Sequence, residues 1–348
     1  MQLLITGHNG YLGRVMARFL EQRGHRVVGL DTGFYEDCGF GPALAPPKSI
    51  ARDTRDVNVE HLKGFDALIH LAALSNDPLG ELAPEWTDEI NHKASVRLAK
   101  LARDAGIKRF LFSSSCSMYG TATKDGPITE DAPLRPLTQY AISKVRAEEA
   151  LSALANADFS PVFLRNSTAY GVSPSLRADL VLNNLVGWAY TTGKIKIMSD
   201  GSPWRPLVHA EDIARAFAAV LQAPRKVVHN QAFNVGVNSE NYQVRDLAQI
   251  VQETVPGCSI EYAGKSDPDN RTYIVDFSKL ANNLPSFQPK WNVRKGAIEL
   301  HRAYQNAQLS FDDFQGRKYI RIKQLRYLMD EGRLDETLRW IRIRAAAA

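Results

Sequence analysis

QLLITGHNGYLGRVMARFL, residues 2–20, is the stretch on which the fold turns. QLLIT (2–6) is a short apolar run of strand type. From residue 10 to about 23, Leu12, Val15, Met16 and Leu20 recur at helical spacing. Gly7, Gly10 and Gly13 stand at the junction. A turn without Cβ atoms lets backbone N–H groups approach a pyrophosphate, whose charge the helix N-terminus favours. Glycines alone would suit any tight strand–helix turn, but here strand, helix and a following acid are all in place. RVVGLD (26–31) reads as the next strand and ends on Asp31, 18 residues beyond Gly13. A carboxylate there can accept both hydroxyls of a ribose, although an acid at a strand end can also be a cap or turn former. The reading is a dinucleotide site. Asp31 would repel a ribose phosphate and Thr32 adds no compensating charge, so NAD is expected over NADP.

Working outward, SIARD (49–53), DALIHLA (66–72), KRFLFSSS (108–115) and PVFLRNS (161–167) read as strands. Helical patterns lie between them at about 86–105 and 138–154. Strands that are apolar throughout and separated by helices predict an α/β fold, a doubly wound parallel sheet covered on both faces. The second half is less regular. Helical segments (179–191, 210–222, 243–254) alternate with short strands, KIKIM (194–198) and QAFNVG (231–236). This predicts a smaller, loop-rich lobe interleaved with the end of the sheet, the boundary falling at the loop after Gly171. The expected division is a dinucleotide-binding domain over 1–170, to which 205–238 returns, and a smaller lobe from 171–204 and 239–309. A helical appendage over 310–344 follows, with Tyr319, Ile322, Leu325 and Leu328 as its apolar stripe.

The 348 residues, 44% hydrophobic and 23% charged, suffice for one large or two moderate soluble domains. No apolar run approaches membrane-spanning length, and the N-terminus lacks the basic start and long apolar stretch of a signal peptide. The net charge of +5 is dispersed. It gives no sign of a nucleic-acid surface and fits an anionic small molecule. Cys38, Cys116 and Cys258 form neither a disulfide framework nor a CxxC site, and no HExxH or Cys/His cluster suggests a metal. Reduced thiols in a cytoplasm account for the cysteines.

Tyr140 and Lys144, in QYAISK, lie four apart on a predicted helix and so share a face. An ammonium beside a phenol favours phenolate. The spacing occurs three times. Tyr190–Lys194 spans a TTG breaker, and Tyr319–Lys323 sits in the appendage. Only Tyr140–Lys144 follows a hydroxyl-bearing strand end, FSSSCSMYG (112–120).

TGHNGYLG (6–13), HLAA (70–73), SSS (113–115) followed by MYG (118–120), and YxxxK (140–144) occur in the order of the extended short-chain dehydrogenases, which the chain resembles. Within them it is similar to the NAD-dependent nucleotide-sugar epimerases and dehydratases of UDP-glucose 4-epimerase type. The resemblance runs from residue 1 to about 279 and includes RPLVHAEDIA (205–214) and FNVG (233–236). It implies a Rossmann-type sheet with a substrate-binding lobe, and it implies roles. Ser115 would bind the sugar hydroxyl or carbonyl, Tyr140 would be the base, and Lys144 would hold the nicotinamide ribose and acidify Tyr140. Asn9, Tyr11 and Leu12 would join the three glycines and Asp31 around the cofactor. Asp53 and Thr54 would meet the adenine, while Leu71, Ala72, Ala73, Asn91 and Ser113 would complete the cofactor's surroundings. Arg205 would grip the substrate diphosphate, with Arg271 a further phosphate candidate. Asn184 and Leu185 match a segment that closes over the nucleotide, and Ser117 and Thr168 would face the sugar nucleotide. His209 falls where the family has a structural strand-to-helix corner, and His70, which precedes the cofactor-lining alanines, reads as structural likewise. The helices near 86–105 and 138–154 resemble those that pair as a four-helix homodimer interface.

The family's 4,6-dehydratases carry an Asp–Glu pair where this chain has Cys116 and Ser117, neither able to act as a carboxylic acid. Thr168 also departs from the asparagine common in epimerases. The leading expectation is an epimerase that oxidises C4 of a nucleotide-diphosphate sugar transiently and returns the hydride to the other face. A sugar ketoreductase with exchangeable cofactor is the alternative, and a non-catalytic dinucleotide-binding sensor is a third.

Overall fold

The computed structural model describes residues 1–42, 47–75, 83–121, 126–262 and 271–341; positions 342–344 of the expected appendage lie outside them. Twelve strands occur among the described residues: β1 Gln2–Thr6, β2 Arg26–Asp31, β3 Lys48–Ala51, β4 Ala67–His70, β5 Arg109–Ser115, β6 Ser160–Asn166, β7 Thr168–Tyr170, β8 Lys194–Ile197, β9 Trp204–His209, β10 Ala232–Val235, β11 Asn241–Gln243 and β12 Ser259–Tyr262. The main helices are α1 Tyr11–Glu21, α2 Ala94–Asp104, α3 Gln139–Ser152, α4 Val181–Thr192, α5 Ala210–Gln222, α6 Val244–Thr254, α7 Val293–Asn306, α8 Phe311–Gln315 and α9 Arg321–Asp330.

Seven strands form one parallel sheet in the order β10-β6-β5-β4-β1-β2-β3. Alternation along β1 shows how both faces are covered. Leu3 and Ile5 join a core that includes Met16 and Phe19 of α1 and Phe217 of α5. Leu4 points the other way, into a core with Leu98 of α2 and Leu151 of α3. The sheet is the mixed α/β, Rossmann-type architecture that the alternating pattern predicts. The strand order runs outward in opposite directions from β1 and β4, so the loops after these strands open a crevice at their carboxyl ends.

A second core, with Tyr170, Leu185, Ile195, Leu207, Val251, Leu300 and Tyr304, unites α4, α6 and α7 with the β8–β12 pair and the three-stranded β11-β9-β7 sheet. β9 belongs to this small sheet, so the chain rejoins the seven-stranded sheet only with α5 and β10. The helix expected over 86–105 is interrupted. A short turn, Pro84–Thr87, and a π-helical turn, Asp88–Lys93, precede α2. Such wide turns rotate the residues they carry and recur at functional sites. The C-terminal segment packs Leu325, Leu328, Leu334 and Leu338 against Phe34, Leu74 and Ile90, which follow β2 and β4 or lie on the π-turn.

Candidate active site

A cavity of about 810 Å³ opens along the carboxyl ends of β1, β2, β4 and β5 and continues toward the smaller lobe. Gly7, at φ +73°, and Gly13 form its turn. A Cβ on Gly7 would lie 2.7 Å from the Ala72 nitrogen, and one on Gly13 would overlap the Gly7 carbonyl oxygen. Only bare backbone fits. Gly10 is the N-cap residue of α1 and offers no capping side chain, so the first-turn amides face the cavity, as an anion site requires. Asp31 is held at the end of β2 by the backbone amides of Asn9 (3.0 Å) and Gly33 (2.8 Å). Asn9 itself does not line the cavity; its amide orients Asp31. Tyr11, Leu12, Thr54, Leu71, Ala72 and Ala73 do line it. Asp53 lines it too, but its carboxylate is shared with Arg55 in a fork of 2.7–3.0 Å.

Ser113, Ser115, Tyr140 and Lys144 meet on the wall where β5 ends against α3. Thr138 caps α3, accepting from the Ala141 amide at 3.2 Å, which fixes the helix start one residue before Tyr140. Lys144 is buried; its ammonium donates to the Ser113 carbonyl at 2.7 Å and lies 5.7 Å from the Tyr140 ring centroid. Burial pulls the Lys144 pKa down to about 7, and the Glu148 carboxylate opposes that fall. Glu148 is in turn clamped by Arg165 at 2.8–3.2 Å. Arg165 also donates to Tyr119 Oη, and Tyr119 donates to Asn234 Oδ1 at 2.6 Å. Ser115 Oγ accepts from the Ser117 amide at 3.2 Å. Cys116 is fully buried, its thiol donating to the Arg165 carbonyl and its pKa pushed well up by burial. It faces away from the chemistry. Ser117 lines the cavity with a buried hydroxyl that has no partner among the described residues, as do the Ser114 hydroxyl and Asn166 Oδ1.

Thr168, Arg205 and Arg271 line the end toward the smaller lobe, with Tyr273 beside them. Arg205 donates to the Trp204 carbonyl at 2.9 Å and to the Arg271 carbonyl, which ties the two arginine-bearing segments together. Besides Asn9, three expected residues are not brought to the cavity. Asn184 spends its amide on the Ala178 carbonyl (2.9 Å), and Leu185 is buried in the lobe core. The turn that they brace presents Leu180 and Val181 to the cavity instead. Asn91 lies on the π-turn and bonds both the amide and the carbonyl of Leu74, anchoring the loop that carries Leu71–Ala73. His209 caps α5, stacks on Trp291 at 3.9 Å and pairs with Glu299. His70 is buried between the Thr6 and Ser95 hydroxyls, its pKa pulled down to about 3 by burial.

The model of the NAD dependent epimerase/dehydratase family matches residues 3–236. This chain belongs to that family. It is 31% identical to the UDP-glucose 4-epimerase of Streptomyces lividans over 269 residues, covering 72% of this chain and 79% of the relative. It is 28% identical to that of Corynebacterium glutamicum over 303 residues, covering 82% and 90%. Among solved structures, MoeE5 in complex with UDP-glucuronic acid and NAD superposes with a TM-score of 0.77 at 26% identity, covering 88% of this chain and all of that one.

Membership in an NAD-dependent epimerase/dehydratase family sets a test that the residues meet. The turn around Gly7 and Gly13 is bare backbone followed by uncapped first-turn amides, the Asp31 carboxylate is fixed at the strand end beside it, and orphaned hydroxyl and amide atoms surround the Ser113–Ser117 wall. This epimerase/dehydratase chain also places residues in the cavity that sequence reading missed. Arg177 and Asp179 form a part-buried pair at 2.9–3.0 Å, and Arg177 donates to Ser75 Oγ at 3.0 Å. Burial works against the Asp179 charge, yet Arg177 holds that carboxyl below its usual range. Tyr35 and Arg321, the latter from the C-terminal helix α9, complete that wall. The LRAD run (176–179) carries no motif spacing, and Arg321 lies in a segment without local signal. Asn166, directly after the apolar PVFLR run, is the one that a strand-end rule could have found.

Proposed function

We propose that this protein is an NAD-dependent nucleotide-sugar 4-epimerase. The observation that carries this reading is the Ser115–Tyr140–Lys144 set beside the glycine turn, with a buried thiol and a serine hydroxyl where a dehydratase would need carboxylic acids. The seven-stranded sheet, over 1–170 with the α5–β10 return, would hold the cofactor. The smaller lobe would hold the sugar nucleotide, with Arg205 and Arg271 toward its diphosphate and Thr168 and Ser117 toward the sugar. Relatives named for UDP-glucose and a structural neighbour holding UDP-glucuronic acid make UDP-sugars the substrates to test first.

NAD, when bound, supplies the reversible oxidant for the sugar carbon. The protein's part is proton chemistry and orientation. Lys144, in its charged form, stabilises the Tyr140 phenolate, which accepts the C4 hydroxyl proton; Ser115 bonds the same sugar oxygen and steadies it as its charge changes. Tyr140 then returns the proton when the carbon is reduced on its other face. The cavity extends beyond the catalytic wall toward the lobe, which leaves room for the sugar to turn.

The test incubates the purified protein with UDP-glucose and follows UDP-galactose by NMR with no NADH added. Conversion supports the proposal. Stoichiometric consumption of added NADH would instead make it a ketoreductase, and cofactor binding without turnover across a panel of sugar nucleotides would leave a sensor. Tyr140→Phe is expected to lower kcat about 100- to 10,000-fold while retaining NAD. We further infer a homodimer in which α2 and α3, side by side on one face of the sheet, pair with their copies. Light scattering should then give twice the 38.7 kDa chain mass. Three free thiols, two of them buried, support a cytoplasmic setting.

A further inference from the structure

α9 Arg321 is 4% exposed, yet it lines the same cavity as Gly7, Gly10 and Tyr11. Its guanidinium donates from one nitrogen to the Ser175 carbonyl at 2.8 Å and stacks over the Tyr35 ring at 4.2 Å. The other terminal nitrogen, Nη1, is buried with no hydrogen-bond partner among the described residues. A buried guanidinium with an idle donor is costly unless an acceptor arrives.

Its position says which acceptor. Ser175 Oγ donates to the Asn9 carbonyl at 2.7 Å, and Ser173 Oγ to the Tyr11 carbonyl at 2.8 Å. The 173–177 segment is therefore bolted to the glycine turn and holds Arg321 against it. Arg177, two residues on, is fixed to Asp179 and to Ser75 on the loop after β4. The charged groups acting on Arg321 are Arg177 and Asp179, with the Tyr35 hydroxyl and Cys38 thiol beside them. Two guanidiniums face one carboxylate, so this wall carries an excess positive charge in a buried setting. Burial first, and then Arg177, weaken Arg321's hold on its own proton.

We propose that Arg321, with Arg177 beside it, binds the diphosphate of NAD together with the glycine turn, so that the C-terminal helix is part of the cofactor site. The proposal rests on NAD being the bound dinucleotide. The first-turn amides of α1 and the two guanidiniums then share the diphosphate. A diphosphate could also come from the sugar nucleotide, but Arg205 and Arg271 stand at that end of the cavity and Arg321 at the glycine end.

The experiment measures affinities on full-length protein stripped of nucleotide, by calorimetry, for NAD, adenosine and UDP, in wild type and Arg321→Gln. NAD binding to wild type is the control for the reading beneath; its absence would remove that reading and not only the role of Arg321. With that control met, R321Q should weaken NAD about 10- to 100-fold and change adenosine and UDP less than about twofold, the loss of one charge-assisted bond. Unchanged NAD affinity overturns the proposal. Equal weakening of adenosine and NAD overturns it too, by making Arg321 a prop for the adenosine end. Selective weakening of UDP assigns it to the substrate diphosphate and also refutes it. Should R321Q not fold, R321K keeps the charge with one donor head, and the same NAD-to-adenosine ratio, shifted about 3- to 10-fold, is read there.

Discussion

The two walls of the cavity are built in opposite ways. On one side, the turn between β1 and α1 is backbone: Gly7 at positive φ, Gly13 against the Gly7 carbonyl, Asp31 held by two amides. On the other, side chains reach in from far along the chain. Arg321 bonds a carbonyl 146 residues away, and its C-terminal segment is tied down from outside the cavity by Trp340, which donates to the Thr32 carbonyl from 308 residues away at 2.6 Å. The difference teaches that a wall of backbone is intolerant of added atoms, whereas a wall of side chains degrades in steps.

The largest effect should therefore fall on the first wall. Gly13→Val forces side-chain carbon into the Gly7 carbonyl, and cofactor content measured after gentle denaturation should fall at least ~100-fold. Retained NAD would break the comparison, since the turn would then be as forgiving as the far wall. The floor between the walls comes next. Glu148 holds the Lys144 pKa up against burial, so removing its charge lets that pKa fall below about 7. In the proposed mechanism a charged Lys144 supports the Tyr140 phenolate, and that lysine loses its proton as pH rises. In Glu148→Gln the alkaline limb of kcat/KM should accordingly move to lower pH. The same change leaves Arg165 buried without its carboxylate, which should cost roughly 3–5 kcal/mol in denaturant unfolding. A limb that stays in place would separate Lys144 from the rate. The smallest effect belongs to the far wall. Trp340→Ala removes the bond to Thr32 and the ring packed 5.9 Å from Phe34, and NAD release followed by fluorescence should quicken only about 3- to 10-fold. A loss as complete as that of Gly13→Val would erase the distinction.

Legibility in the sequence follows the same line. The glycines, Asp31 and the Tyr140–Lys144 spacing could be read because each need is local: a missing Cβ within a turn, a residue at a strand end, two side chains on one helical face. Most strands of the large sheet likewise announce themselves as apolar runs, the edge strand β3 (KSIA) excepted, whereas β7 and β11, three residues each, are too short to carry a pattern. Asn184 shows the limit of carrying a role by position. The match places it on the right turn, but its amide closes that turn onto Ala178 and leaves Leu180 and Val181 at the surface of the cavity. Asn91 shows another limit, because the π-turn rotates it toward the Leu74 backbone, and no spacing rule for a regular helix anticipates that. Arg177 and Arg321 were unreadable for a simpler reason. An arginine in a helix or loop looks the same whether it meets water or a buried wall, and only long-range packing decides.

The tie between Trp340 and Thr32 has a consequence in time. A ribosome delivers β2 early and Trp340 some 308 residues later, so this contact can close only after most of the chain has emerged. A chain released before residue 340 would lack that bond, and with it the indole packed against Phe34.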